Sequence, residues 1–307
     1  MNSFKALVKR EYWESKGSML YTPLAIAAFL ASVMVLGILT GGSLQIDTGN
    51  HSFNFTDKLI EGIGKIDSLS EGEQDNLVQS GLYAPTVLFG FIMFVIGLFY
   101  CLGSLYDERK DKSILFWKSL PVSDTATVLS KFVAISLLIP VIYFAAISVF
   151  QVFLLVLATI LSWFSGSSGV TIWTSSNLFG VLFNGLSSAI VASLWMAPIW
   201  GWLMLASSWA KKVAFLWGTL PIFLIMIAEG WIFGSGRFIN LVGERIGHGF
   251  ITMNSNLFNL LDKDIFDGRD VSRWYEVLGE SGFWIGLIVA AGFLAGAIYT
   301  RRYRDES

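Results

Sequence analysis

The residues that could do chemistry in this chain are few. It holds two histidines, His51 and His248, far apart in sequence, and one cysteine, Cys101. No HExxH or other paired-ligand spacing occurs, so a zinc hydrolase is not expected. A lone cysteine inside an apolar run excludes an internal disulfide and a CxxC redox centre, and reads as a small buried apolar residue. No GxxxxGK[ST] occurs, and the nearest look-alike, "GIGKID" at 62–67, lacks the spacing, so the chain has no P-loop of its own for nucleotide. Asn54-Phe55-Thr56 matches a glycosylation acceptor, a short pattern that matters only in a eukaryotic secretory setting. Two features remain. One is Glu229, a single acid among apolar neighbours. The other is "DERKDKSILFWKSLPVSD" at 107–124, where charges surround the apolar cluster Ile114-Leu115-Phe116-Trp117.

The elements that must position these residues are set by composition. The chain is 54% hydrophobic and only 14% charged, against about 25% charged in globular domains. The apolar residues come in blocks: 17–46, 76–106, 132–210 and 281–300 hold no Asp, Glu, Lys or Arg, and 213–236 holds only Glu229. A helix needs roughly 20 apolar residues to cross about 30 Å of hydrocarbon. The longest block divides at "SGSSG", Ser165–Gly169, where small flexible residues favour a turn. The sequence therefore predicts an all-α polytopic membrane protein with spans at about 20–40, 84–105, 133–163, 178–208, 213–234 and 282–300. Trp163, Trp173, Trp209, Trp217, Trp231 and Trp284 sit near span ends, the level that amphipathic indoles favour.

Charge predicts orientation. With the N-terminus inside, 14 of the 21 Lys and Arg residues fall on the inner side, so the positive-inside rule places both termini in the cytoplasm. The formal net charge of −2 hides this asymmetry, and no nucleic-acid partner is expected. The first apolar run follows a charged stretch and exceeds the usual 7–15-residue apolar region of a signal peptide, so it reads as a retained anchor. Before it, residues 1–18 read as an interfacial amphipathic helix, with Phe4, Leu7, Val8, Tyr12 and Trp13 among Lys5, Lys9 and Arg10, or alternatively as a solvated tail. Residues 41–83 and 235–281 read as outer loops. The second contains "FINLVGERIGHGFITMNSNLFNLL", too apolar for a plain linker, and reads as a re-entrant or interfacial helix or as a small cap.

On this topology residues 106–132 face the cytoplasm. The cluster would be covered there either by the lipid headgroup layer or by another protein, and an apolar cluster rimmed by charge is a general interaction signature. A short helix from about Asp111 to Leu120 would set Ile114, Trp117 and Leu120 on one side, with Pro121 ending it and Ser123 or Asp124 capping the next helix. Here "ERKDKSILFWKSLPVSD" followed by Lys131 resembles the signature loop of type-2 ATP-binding-cassette (ABC) exporter permeases. The matching positions are Glu108, Arg109, Ile114, Trp117, Ser119, Leu120, Pro121, Val122, Ser123 and Lys131; Asp124 departs from the pattern, where a basic residue often follows the serine. The resemblance implies one transmembrane permease domain over 1–307, in a bacterial inner membrane. It implies no cofactor on this chain, ATP and Mg on two copies of a separate ATPase subunit, and a second permease copy or paralogue in the surrounding lipid. It makes 106–132 the coupling loop, with Phe116 or Trp117 as the apolar anchor and Glu108 to Lys112 and Lys118 as a charged rim that sets register.

The transport path is less legible. Pro140, Pro198 and Pro221 lie within spans, where each removes a backbone hydrogen bond. Gly282, Gly286 and Ala290, with Gly292 and Gly296, form small-residue faces that read as helix packing. A lone intramembrane acid is a functional candidate, and similar permeases line the path with spans two and five, which makes Phe91, Phe94, Phe223 and Glu229 the path candidates. The first alternative is a secondary transporter or channel without an ATPase, which would need more intramembrane ionisable groups than Glu229. The second, a membrane-embedded enzyme or sensor, would need a catalytic cluster that is not found.

Overall fold

The computed structural model describes residues 2–40, 46–47, 52–53, 61–119, 121–261 and 272–303. Among these, six helical stretches are long and apolar enough to cross a membrane: Gly17–Leu39, Glu71–Lys110, Asp124–Phe164, Leu178–Trp195, Ala214–Phe233 and Ser281–Tyr303. Each overlaps one expected span, and the chain is an all-α multi-pass membrane protein. Helix α1 (Asn2–Glu14) precedes the first span, and a two-residue antiparallel ladder, Ile46–Asp47 with Ser52–Phe53, follows it.

Two of the spans are interrupted in the same way. The first contains a π-helical turn, Gly17–Tyr21, followed by α2 (Thr22–Leu39), with Pro23 at its start. The third runs through α7 (Asp124–Val133), a π turn Ala134–Leu138, and α8 (Ile139–Phe164), which begins Ile139-Pro140. Proline has no N–H and its ring crowds the carbonyl four residues back. In each span the residue before the proline donates five residues back instead, Thr22 to Gly17 O and Ile139 to Ala134 O. The extra residue in the turn makes room for the ring.

Proline also decides the fourth crossing. The sequence predicts one helix over 178–208, but α10 (Leu178–Trp195) ends at Met196 and α11 (Ala197–Trp209) starts anew, with Pro198 in its first turn. The Trp200 indole donates to Ser193 O at 3.0 Å across the break and satisfies a carbonyl there. A second difference lies in 41–83. Its last part is helix: α3 (61–65) leads through a 3-10 turn, Ile66–Ser68, to α4 (Glu71–Ser104). Ser70 N donates to the Glu73 carboxylate at 3.0 Å and caps α4 at that early point. At 34 residues, α4 is about 51 Å long and outreaches a bilayer core.

After α12 (Ala214–Phe233) the chain turns through Gly234, at φ +58°, into α13 (Arg237–Met253) and α14 (Ser255–Leu260). These are not a detached cap. Gly249 lies against Met196, Gly90 against Met253, and Thr86 Oγ1 bonds Asn254 Oδ1 at 2.9 Å, so α13 and α14 pack on α10 and α4. The short α15 (Trp274–Val277) leads to α16 (Ser281–Tyr303). Among the described residues, helices α11 and α16 form the most extensive helix pair, with Gly201 on the Ala290 backbone and Gly296 under Leu205. The main core joins Met19, Cys101, Leu102, Val128, Ile135, Tyr143, Trp195 and Trp200.

The glycines of α16 divide in role. Gly286 faces the Arg245 guanidinium, which stacks on Trp195 at 4.1 Å and donates to Gly282 O at 2.9 Å. Gly292 faces open space. Gly286→Ala is therefore expected to lower stability by about 1–3 kcal/mol through overpacking. Gly292→Ala is expected to be neutral or to gain up to ~1 kcal/mol of helix propensity. Thermal unfolding of the detergent-solubilised variants checks both, and equal effects would refute the assignment of roles.

Candidate functional site

The segment after α4 is held by its backbone partners before any charge acts. Leu105 N and Tyr106 N, freed where α4 gives way to α5 (Tyr106–Lys110), both donate to Ser207 Oγ at 3.1 and 2.9 Å. Ser207 Oγ in turn donates to Leu102 O at 2.7 Å. Arg109 turns inward rather than out: its Nη2 donates to Ser207 O and Ala210 O, at 2.5 and 3.0 Å, at the C-terminal end of α11. A cation there meets unsatisfied carbonyls and the negative end of the helix dipole.

Lys112 then adopts a left-handed backbone, φ +56°, and reverses the chain. This is why α6 runs Ser113–Ser119 instead of starting at Asp111. Ser113 Oγ ties back to Glu108 O at 3.2 Å. The helix has two sides. Ile114 is 2% exposed and anchors it to the bundle. Trp117 is half-buried, with the Arg10 guanidinium 3.6 Å from its ring centroid. Leu115 and Phe116 point the other way, 59% and 60% exposed, and the Phe116 ring packs edge-on against Trp117 at 5.1 Å. Pro121 is exposed, and Leu120 lies outside the described residues. Ser123 accepts from Ala126 N at 3.2 Å as the N-cap of α7.

Beneath α6 lies a charge network that the sequence does not announce. Glu108, placed by its sequence context on a charged rim, is 7% exposed. Its carboxylate receives Arg10 Nη2 and Arg301 Nη1, each at 2.6 Å, and lies 3.1 Å from Lys131 Nζ. Lys131 also contacts both oxygens of Glu11 at 3.0 Å, and Tyr100 OH donates to Glu11 at 2.9 Å. Arg301 Nε reaches Asp124 Oδ1 at 3.0 Å, and Arg10 Nε reaches Glu14 at 2.7 Å. Burial disfavours the Arg10 charge, but Glu14 and Glu108 more than offset this and raise its pKa above the ordinary value. The network joins α1, α5, α7 and α16 at one point. Asp107, Lys110, Asp111, Lys112 and Lys118 are the exposed charges of the segment that carries Leu115 and Phe116.

The path candidates do not share one environment. Phe94 packs on Trp200 in the core, at 5.8 Å between centroids. Phe91 and Phe223 lie on exposed faces. Glu229 accepts from Ser235 Oγ, Arg237 N and Phe238 N at 2.8, 2.9 and 2.8 Å. It thereby satisfies the first amides of α13 and closes the turn from α12, a structural role for an intramembrane acid. Among the described residues, no group of three or more His, Cys, Asp and Glu side chains could hold a metal ion.

Sequence reasoning named Glu108 and Lys131 but missed Arg10, Glu11 and Arg301 as their partners. One signal was available: Glu11 follows Leu7 by four residues, so an acid shares the buried face of α1. No family model, curated protein or solved structure matches the chain.

Glu108→Gln keeps the shape but removes the charge that three cations face. It is expected to cost about 3–5 kcal/mol, the usual result of breaking a buried pair. Trp117→Leu should cost only about 0.5–2 kcal/mol, from the lost cation–π contact. Chemical denaturation in mild detergent measures both, and a Glu108→Gln protein as stable as the wild type would contradict the network.

Proposed function

We propose that this chain is the membrane-spanning permease subunit of an ABC exporter, driven through residues 106–132 by a separate ATPase. The observation that carries the reading is the two-sidedness of α6. Its inner side is fixed by Ile114, by Trp117 under Arg10, and by the Glu108 network, while Leu115 and Phe116 stand exposed on a segment rich in exposed charges. A lipid-facing helix does not need a clamp of this kind. A helix that is pushed by another protein does, because force applied to a loose loop is lost in the loop.

In this reading Phe116 and Leu115 enter a cleft of the ATPase, and Lys110, Asp111, Lys112 and Lys118 set register and partner choice. Movement of α6 passes through Glu108 to α1, α7 and α16, and through Arg109 and Ser207 to α11. ATP and Mg bind to the ATPase, present in two copies, and a second permease copy or paralogue completes the path. The charge bias favours cytoplasmic termini, and the resemblance of residues 107–124 to bacterial permeases favours a bacterial inner membrane. Helices α13 and α14 enter the opposite leaflet as a re-entrant element, where Asn254 pairs with Thr86 of α4 and Asn256 with Ser188 of α10. Glu229 is occupied as a cap, which leaves a secondary transporter without an obvious coupling group.

Leu115→Asp with Phe116→Asp alters two exposed side chains, of which only Phe116 makes a ring contact, to Trp117. The double variant is expected to lose no more than about 1.5 kcal/mol of stability, the upper worth of the Phe116–Trp117 ring contact. It is also expected to lose at least tenfold of the ATPase that copurifies with the wild-type protein. An ATPase retained at wild-type stoichiometry would overturn the reading.

A further inference from the structure

At the end of the bundle remote from the charge network lies a cavity of about 360 Å³, between α2, α3, α4, α8 and α9 (Gly169–Ser176). Its fourteen lining residues are all Met, Gly, Ile, Leu, Val or Ala. Ile66, Leu82, Leu155 and Ile172, each 7% exposed or less, form the closed back wall. Met34 and Leu157 are half-buried and Leu77 is exposed, so the front is open. Two glycines keep the space: a Cβ at Gly62 or Gly81 would meet nothing within 4 Å.

The surroundings say what the cavity opens onto. On α2, Val33, Leu36 and Leu39 are exposed, and on α8 so are Val156 and Ile160; these are outward faces of membrane-spanning helices. The medium in front of the cavity is therefore lipid hydrocarbon. Above it the character changes at once. Lys65 pairs with Glu61, Asp67 accepts from Ser168 N at 2.8 Å, and Ser167 Oγ donates to Gly64 O at 3.2 Å. Trp163 is exposed, and the Trp173 indole donates to Thr159 Oγ1 at 2.9 Å, the placement of interfacial tryptophans. From Trp163 back to Leu154 is nine residues of α8, about 13.5 Å at the helical rise. One leaflet of hydrocarbon is about 15 Å deep.

We infer that this cavity is a binding site for one acyl chain of a bilayer phospholipid. The headgroup would lie at the Lys65, Asp67 and Trp163 level, and the tail would run down to Met34 and Leu154. Three properties select that occupant. Without a polar lining the cavity offers water no partners, and such cavities stay dry. A peptide backbone would leave its amides and carbonyls unpaired there. The volume lies at the lower end of the about 300–1,000 Å³ typical of small-ligand pockets, and the polar rim and apolar shaft repeat the order of a phospholipid along the membrane normal. The site stands on the membrane architecture alone and does not depend on the motor.

The full-length protein in detergent, titrated with the fluorescent polyene cis-parinaric acid and weighed by native mass spectrometry, tests this. Gly81→Leu and Gly62→Leu add side chains at two lining positions, on α4 and α3, and Gly292→Leu makes the same change on an open face of α16. The wild type and Gly292→Leu should bind one parinaric acid per chain and carry one phospholipid that the probe displaces. Both filling variants should bind the probe at least tenfold more weakly and lose the phospholipid adduct. Unchanged probe affinity in both filling variants would overturn the proposal. So would an adduct of another chemical class, or a filling variant that loses chain–chain association while still binding the probe.

Discussion

A carboxylate that must not lose its partners organises this molecule. Glu108 sits in a nearly dry site with Arg10, Lys131 and Arg301 around it. Taking such charges out of water is costly, and their mutual attraction repays that cost only when geometry and hydrogen bonding are both good. The other carboxylates, Glu11, Glu14 and Asp124, complete the cations' contacts. The consequence is geometric. Residues 10, 108, 131 and 301 come from four separate elements, and none can move alone without stranding a charge. The network makes one face of the bundle mechanically single.

That rigidity gives α6 its character. A seven-residue helix is not stable by itself in water. Here it is held by Ile114, by the Arg10–Trp117 stack and by the reversal at Lys112, whose left-handed backbone is the kind of strain that persists only where surroundings over-determine it. The apolar pair left outside, Leu115 and Phe116, is then presented in one orientation. At the other end of the molecule the same logic runs through apolar contact. Glycines at 62 and 81 leave space beside otherwise well-packed spans, and the surrounding lipid is the natural material to fill it.

Proline chemistry accounts for the departures from straight spans. Pro23 and Pro140 each follow a π turn, whereas Pro198 breaks the fourth crossing outright. The difference follows from what surrounds the missing hydrogen bond. The π turns re-pair the neighbouring amides within the helix, but at Met196 a tryptophan from the next helix turn supplies the donor from its side chain. Glu229 follows the same rule in reverse, a side-chain acceptor serving the free amides of α13.

The sequence by itself determined the number, approximate extent and apolar character of the crossings, because hydrophobic run length is set by membrane thickness and needs no partner to be read. It also marked 107–124 as exceptional, since charge between two apolar spans is conspicuous along one dimension, and it narrowed the cap of α7 to Ser123 or Asp124 from local chemistry. The direction each side chain faces was decided only in three dimensions. Glu108 reads as a rim charge from its neighbours Asp107, Arg109 and Lys110, yet it is buried because its three cations arrive from segments that no local pattern links to it. Glu229 reads as a free intramembrane acid, yet its partners lie across a turn, at Ser235, Arg237 and Phe238. Pairing between distant charges is a property of how helices are packed, and periodicity along a chain carries no information about which helices those will be.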